Sequence, residues 1–144
     1  MVATTILVAV IDDHNLLRNK LCELLGLIGF EVVIQAENGR DALQKFETAE
    51  RMPHVCLLDV NMPVMNGMET AVALSKKYPD LRILGCSIND DENSILGMVR
   101  NGAHGYIVKD GSLEELKKAI NGIVETGHYF DKNASKIVLK HLRQ

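Results

Sequence analysis

Five side chains in this sequence have the types and the spacing that phosphate chemistry needs. Asp12 and Asp13 close the apolar run of residues 5–11, Asp59 closes a second run at 54–58, Ser87 follows a third at 81–86, and Lys109 follows a fourth at 105–108. Taken singly, an acid after an apolar run is a turn former or a helix cap. Three converging carboxylates, however, would raise one another's pKa values unless a cation neutralised them, which calls for a hard divalent ion on oxygen ligands. Mg²⁺ suits that set better than Ca²⁺, with Mn²⁺ as its substitute, because few protein ligands leave room for water and a phosphoryl oxygen. An ammonium opposite the acids and a hydroxyl between them complete a pocket for a phosphoryl group. The chemistry suggested is attack of an Asp carboxylate on phosphorus, giving an acyl phosphate.

Such a pocket exists only if these run ends meet on one edge. The apolar runs are short and carry no polar alternation, as expected for strands buried on both faces of a parallel sheet. Residues 31–36 add a fifth. Helical spacing fills the gaps: Leu17, Leu21, Leu24, Leu25 and Ile28 up to Gly29, then Ala42, Leu43, Phe46 and Ala49, closed near Met52-Pro53. Residues 68–78 form a helix stopped by Pro79, and 91–101 a weaker one holding Gly97, which costs about 1 kcal/mol against Ala. Ser112 and Glu115 form a capping box opening the next helix. Strand and helix alternate about five times, which predicts a doubly wound five-stranded parallel α/β sheet with flanking helices. Right-handed crossovers then set every strand's carboxyl end on one edge. After Gly127, residues 128–131 read as a linker. Residues 133–142 read as one more helix, with Ala134, Ile137, Val138 and Leu142 on a face that has no obvious partner in the domain.

With 144 residues and 47% hydrophobic composition the chain is sized for one domain with a full core. A net charge of -3 argues against a nucleic-acid-coating surface, and no apolar run approaches the roughly 20 residues of a membrane span. Cys22, Cys56 and Cys86 are far apart with no C-x-x-C pair, two of them in expected core strands. Buried reduced thiols and a cytoplasmic setting follow as the expectation. The five histidines are scattered without zinc-ligand spacing.

In this order and at these strand ends, Asp12-Asp13, Asp59 with Met62-Pro63 and Gly67 behind it, Ser87 and Lys109 resemble the receiver domain of bacterial two-component response regulators, with its CheY-like, flavodoxin-like fold. The resemblance covers roughly residues 5–127. It implies that Asp59 is the phospho-acceptor and that Asp13, Asp59 and the backbone carbonyl of Asn61 hold Mg²⁺, with Asp12 acting mainly through water. It implies that Ser87 and Lys109 each engage a phosphoryl oxygen, that Ser87 and Tyr106 are the switch pair, and that Asn61 and Asn89 tune hydrolysis of the acyl phosphate. Ser rather than Thr at position 87 is a mild departure that keeps the donor. Further matches, Asp12-Asp13-His14 with Leu16-Leu17-Arg18, the stretch from Gly102 to Asp110, and Gly127-His128-Tyr129-Phe130, are similar to the NarL/FixJ (LuxR-type) group.

That group implies a sensor histidine kinase as phosphodonor, homodimerisation on phosphorylation, and contact with DNA only through a helix-turn-helix output domain. The residues after Phe130 are too few for such a unit. The expected organisation is therefore a receiver at 1–127 and a linker helix segment at 128–144, leading to an output domain absent from this chain, with no membrane contact. A stand-alone receiver acting through protein–protein interaction is the alternative. A haloacid dehalogenase-type phosphatase shares the strand-end Asp, Mg²⁺ and lysine, but it calls for a second Asp where Asn61 stands and for a cap region that has no room here. A nucleotide-binding domain is disfavoured because the turn after the first strand carries two acids and no glycine. The protein is expected to be a phospho-accepting signalling domain rather than an enzyme.

Overall fold

The computed structural model describes residues 4–109 and 112–143. Six strands and six helices alternate: β1 (Leu7–Ile11), α1 (Asn15–Leu27), β2 (Glu31–Ala36), α2 (Gly39–Glu47), β3 (Val55–Leu58), α3 (Gly67–Lys77), β4 (Arg82–Ser87), α4 (Glu92–Arg100), β5 (Gly105–Val108), α5 (Leu113–Thr126), β6 (Tyr129–Phe130) and α6 (Lys132–Leu142). The strands form one parallel sheet in the order β2-β1-β3-β4-β5-β6.

Side-chain alternation along each strand sorts the core into two layers. Ala9, Ile11, Cys56, Leu58, Ile83 and Tyr106 face α2, α3, α4 and α6 together with Phe46, Leu74, Met98 and Ala134. Val8, Val10, Val55, Leu57, Leu84 and Ile107 face α1 and α5 with Leu25, Leu116, Ile120 and Ile123. Neighbouring residues thus bury against opposite layers, so the strands read as unbroken apolar runs. Each fully buried Leu or Ile contributes roughly 1.5–3 kcal/mol.

Local signals set the helix starts. Asn66 accepts from the Glu69 backbone N–H at 3.0 Å while Glu69 accepts from the Asn66 N–H at 3.1 Å, a reciprocal capping box that opens α3. Ser112 Oγ accepts the Glu115 N–H, and the Glu115 carboxylate accepts the Tyr129 hydroxyl at 2.9 Å. Gly127 sits at φ 90° in the left-handed cap of α5, where a side chain would be strained.

Three expectations need correction. The sheet has six strands rather than five, because residues 129–130, expected in a linker, pair with β5 in the register Gly105↔Tyr129 and Tyr106↔Phe130. Gly105 makes this approach feasible: a Cβ there would stand 2.1 Å from the Tyr129 carbonyl oxygen. The apolar face of α6 does have a partner in the fold, since Ala134 is fully buried and Ile137 and Val138 pack on the α2–α3–α4 layer. Asp131 fixes that docking by capping α6 through the Ala134 N–H and accepting the Val108 N–H, both at 2.9 Å. Leu17, expected on the inner face of α1, is 57% exposed. Smaller shifts move Asp59 one residue beyond β3 and bring Ser87 inside β4. Asp110 lies outside the described residues.

Candidate functional site

Parallel pairing lines up the strand ends that carry the chemistry. The Asp12 N–H donates to the Ala36 carbonyl, the Asp59 N–H to the Ile11 carbonyl at 3.1 Å, and the Lys109 N–H to the Ser87 carbonyl at 2.7 Å. Each functional residue is therefore pinned by a ladder bond to the end of the adjacent strand. Asp12, Asp59 and Ser87 are buried, Asp13 is half-buried, and the Lys109 side chain is 20% exposed. Arg18 on α1 ties down the acidic loop, its Nη1 donating to the Asp12 carbonyl at 2.6 Å.

The ammonium of Lys109 bonds directly to Asp12 Oδ2 and lies 3.8 Å from Asp59 Oδ2. Burial alone would raise the Asp12 pKa, but bonds from Lys109 and from the His14 N–H outweigh it and hold this acid below its ordinary value. For Asp59 burial wins. The Lys109 charge opposes it, Asp12 and Asp13 reinforce it, and the carboxyl sits above its ordinary value although the Val60 N–H donates to Oδ1 at 2.8 Å. Burial would lower the Lys109 pKa, but the Asp12 bond and the Asp59 charge raise it overall. Asp59 is thus less compensated than Asp12, and a cation beside it would favour its ionised form.

Asp12, Asp13, His14 and Asp59 each offer one ligand atom, all within 4.8 Å of one another. Asp13 Oδ1 is buried, and no hydrogen-bond donor among the described residues reaches it within bonding geometry. An orphaned carboxylate oxygen beside two further carboxylates matches the donor set of a hard divalent ion. The residues present fit such an ion. Asn61 follows on an exposed turn two residues beyond Asp59.

Ser87, Asn89 and Tyr106 form a second cluster next to the acids. Ser87 Oγ accepts the Asn89 N–H at 3.1 Å, with Asn89 Nδ2 at 3.4 Å. The Tyr106 hydroxyl donates to the Asn89 carbonyl at 2.5 Å, and its ring is 1% exposed. Burial pushes this phenol well above its ordinary pKa, so it stays a donor. Gly85 gives the ring its place, since a Cβ there would meet Tyr106 Cδ2 at 2.7 Å. One residue further on, the Asp90 carbonyl accepts from Asn133 Nδ2 on α6 at 3.1 Å. The segment 87–90 therefore links the end of β4 to both Tyr106 and α6.

The structure places Asp12, Asp13, Asp59 and Lys109 together, and Ser87, Tyr106 and Asn89 together beside them. Sequence reasoning used His14 and Arg18 only as subgroup markers. The contiguity of Asp12-Asp13-His14 was the available signal for a site role of the first; nothing in the sequence marks the bond of the second to the Asp12 carbonyl.

Residues 8–121 match the family described as response regulator receiver domain. The chain belongs to that family. Among relatives of this receiver, the transcriptional regulatory protein DegU of Brevibacillus brevis is 34% identical over 138 residues, which cover 95% of this chain and 58% of DegU. The chemotaxis protein CheY of Listeria monocytogenes is 32% identical, covering 76% of this chain and 94% of CheY. Among solved structures, the signal receiver domain of the putative response regulator NarL from Mycobacterium tuberculosis superposes with a TM-score of 0.78 at 30% identity, covering 86% of this chain and 99% of that one. The receiver spans 58% to 62% of the length of the DegU and GacA relatives it matches. Among the described residues no helix is long and apolar enough to cross a membrane.

Proposed function

We propose that this receiver accepts a phosphoryl group on Asp59 from a sensor histidine kinase and passes the change on through the Ser87–Asn89–Tyr106 cluster. One observation carries the reading: a buried, under-compensated Asp59 carboxylate beside two more acids and a lysine on the carboxyl edge of the sheet. Asp13, Asp59 and the backbone carbonyl of Asn61 would hold Mg²⁺, or Mn²⁺ in its place, with Asp12 contributing through water. The ion supplies charge neutralisation for the phosphoryl oxygens. An Asp59 oxygen forms the new O–P bond as the bond from phosphorus to the donor breaks, and the donor leaves with that electron pair. Lys109, held on Asp12 at rest, is within a short swing of Asp59 and would pair with one phosphoryl oxygen.

Phosphorylation adds about two negative charges. Ser87 would then give its hydroxyl to a phosphoryl oxygen and let go of Asn89, so the Asn89 carbonyl no longer holds the Tyr106 hydroxyl. Asn61 and Asn89 would position the water that hydrolyses the acyl phosphate. In this reading residues 1–127 are the receiver. Residues 128–144 are the connection, packed back on it through β6 and α6, that leads to a helix-turn-helix output domain controlling transcription. DegU's name as a transcriptional regulatory protein supports that output, and homodimerisation on phosphorylation would accompany it. The match along nearly all of CheY's length keeps a stand-alone receiver as the second reading.

The test is incubation with Mg²⁺ and acetyl phosphate. A mass increase that maps to Asp59 and decays slowly is expected. Turnover of free phosphomonoesters without a lasting adduct would refute it.

A further inference from the structure

We propose that His14 is a nitrogen ligand of the same metal site and shifts its preference from Mg²⁺ toward transition-metal dications. The inference rests on the reading that the acidic pocket binds a divalent cation. His14 occupies the N-cap of α1, where Ser, Asp or Asn would bond the first-turn amides, and its side chain makes no capping bond. The imidazole instead turns back over the acids, with Nδ1 3.3 Å from Asp12 Oδ1 and 3.4 Å from Asp13 Oδ1. Its backbone is fixed there because the His14 N–H donates to Asp12 Oδ1 at 2.9 Å. The side chain is 62% exposed, so the ring turns at little cost.

The geometry is close to that of a shared ion. Two ligands on opposite sides of one small dication lie about 4.2 Å apart, twice a bond of roughly 2.1 Å. The four candidate atoms lie within 4.8 Å of one another, so the set must close by at most about 0.6 Å. The exposed imidazole, 3.3 and 3.4 Å from two of the acid oxygens, needs only a small turn to share an ion with them. Oxygen ligands alone suit Mg²⁺ and Mn²⁺, whereas an imidazole strengthens binding of the first-row transition metals in the Irving–Williams order, least for Mn²⁺ and more for its neighbours. Adding His14 to the acids therefore raises affinity for transition-metal dications, Mn²⁺ included, and leaves affinity for Mg²⁺ nearly unchanged.

The experiment uses the whole chain with Mn²⁺ as the probe. Free Mn²⁺ is titrated by electron paramagnetic resonance, bound Mn²⁺ is examined for nitrogen coupling by electron spin echo envelope modulation, and Mg²⁺ affinity is read by competition. Wild type should show directly coordinated nitrogen, and His14→Ala and His14→Gln should both lose it. Each variant should bind Mn²⁺ about tenfold more weakly or worse, with Mg²⁺ affinity changed less than about twofold. Nitrogen coupling absent from wild type, or persisting in both variants, overturns the inference. So does an equal loss of Mn²⁺ and Mg²⁺ affinity. Uptake of phosphate by Asp59 from acetyl phosphate with Mg²⁺, alongside absent nitrogen coupling, sinks this inference and spares the phospho-acceptor reading. Failure of any dication to bind removes both.

Discussion

Replacing Gly67 with Ala should displace Asp59, the proposed phospho-acceptor, without altering its side chain. Gly67 opens α3, and its N–H donates to the Val60 carbonyl at 2.8 Å. Its φ is not in the left-handed region, so space rather than backbone freedom sets the requirement. A Cβ at this position would stand 2.1 Å from the Asp59 carbonyl oxygen, 2.8 Å from Val60 Cα and 3.0 Å from the Asp59 carbonyl carbon. All three neighbours are main chain of the segment that carries Asp59, and none can rotate away. Reaching the 3.0 Å floor of real Cβ contacts requires the two segments to part by about 0.9 Å, which also breaks the Gly67–Val60 hydrogen bond. Overpacking of this kind costs about 1–3 kcal/mol and the lost bond about 1 kcal/mol more, offset by up to about 1 kcal/mol of helix propensity. The net loss is about 1–4 kcal/mol. A displacement near 1 Å at a reacting carboxylate can cost as much as about 10²-fold in rate. Gly26→Ala is the control: nothing lies within 4 Å of its Cβ and the residue is exposed, so it should stabilise by a fraction of the same helix-propensity gain. Denaturant unfolding and the rate of phosphoryl uptake from acetyl phosphate measure both effects. Gly67→Ala within about 0.5 kcal/mol and twofold of wild type would refute the reasoning.

Asp59→Asn should accept no phosphoryl group yet be more stable than wild type at neutral pH, because the raised pKa of Asp59 means its charge opposes folding. That advantage should shrink as pH falls through the folded pKa toward the ordinary carboxylate value, and thermal melts at several pH values check it. Lys109→Ala leaves Asp12 and Asp59 without their cation and should cost about 3 kcal/mol, partly restored by millimolar Mg²⁺; a melting temperature unchanged in the metal-free protein would count against the ion pair. His104 Nδ1 accepts the Ile83 N–H at 3.0 Å, and burial, then the charges of Arg82 and His128, hold its pKa below 6.5. Its contribution is complete above the unfolded value near 6.5 and is lost as pH falls through the folded one, so His104→Gln should flatten the acid slope of stability below about pH 7. An unchanged slope would show that another group controls it.

Those predictions draw unevenly on what the sequence disclosed. The acids, Ser87 and Lys109 were legible because each interrupts an apolar run, and an interrupted run in a parallel sheet has only one place to put its polar end. The strand of residues 105–108 was legible to the residue for the same reason, as it is buried on both faces, whereas the edge strand 31–36, with Gln35 exposed, was legible from its run of Val32, Val33 and Ile34. The inward placement of Leu17 was misread, because the 3.6-residue period fixes only relative angle along a helix. The sheet face beneath α1 is covered from Leu21 onward, which leaves Leu16 and Leu17 beyond its rim.

The hardest feature to see was β6, two residues long and without a run to reveal it. Its causes are distant in sequence: Gly105 leaves room for the Tyr129 carbonyl, and Asp131 reaches back to the Val108 amide. Once β6 is in the sheet, α6 starts beside α4, and the face that had no partner on paper covers Met98 and its neighbours. That packing puts Asn133 on the Asp90 carbonyl, one residue from the carbonyl that holds the Tyr106 hydroxyl. A composition-level boundary after Gly127 therefore separates segments that the hydrogen bonds join. The residues Ser87, Asn89 and Tyr106 could be named from the sequence, but the path through them to the last helix could not, because its long steps, from Tyr106 to the Asn89 carbonyl and from Asn133 to the Asp90 carbonyl, end on main-chain acceptors that no residue type encodes.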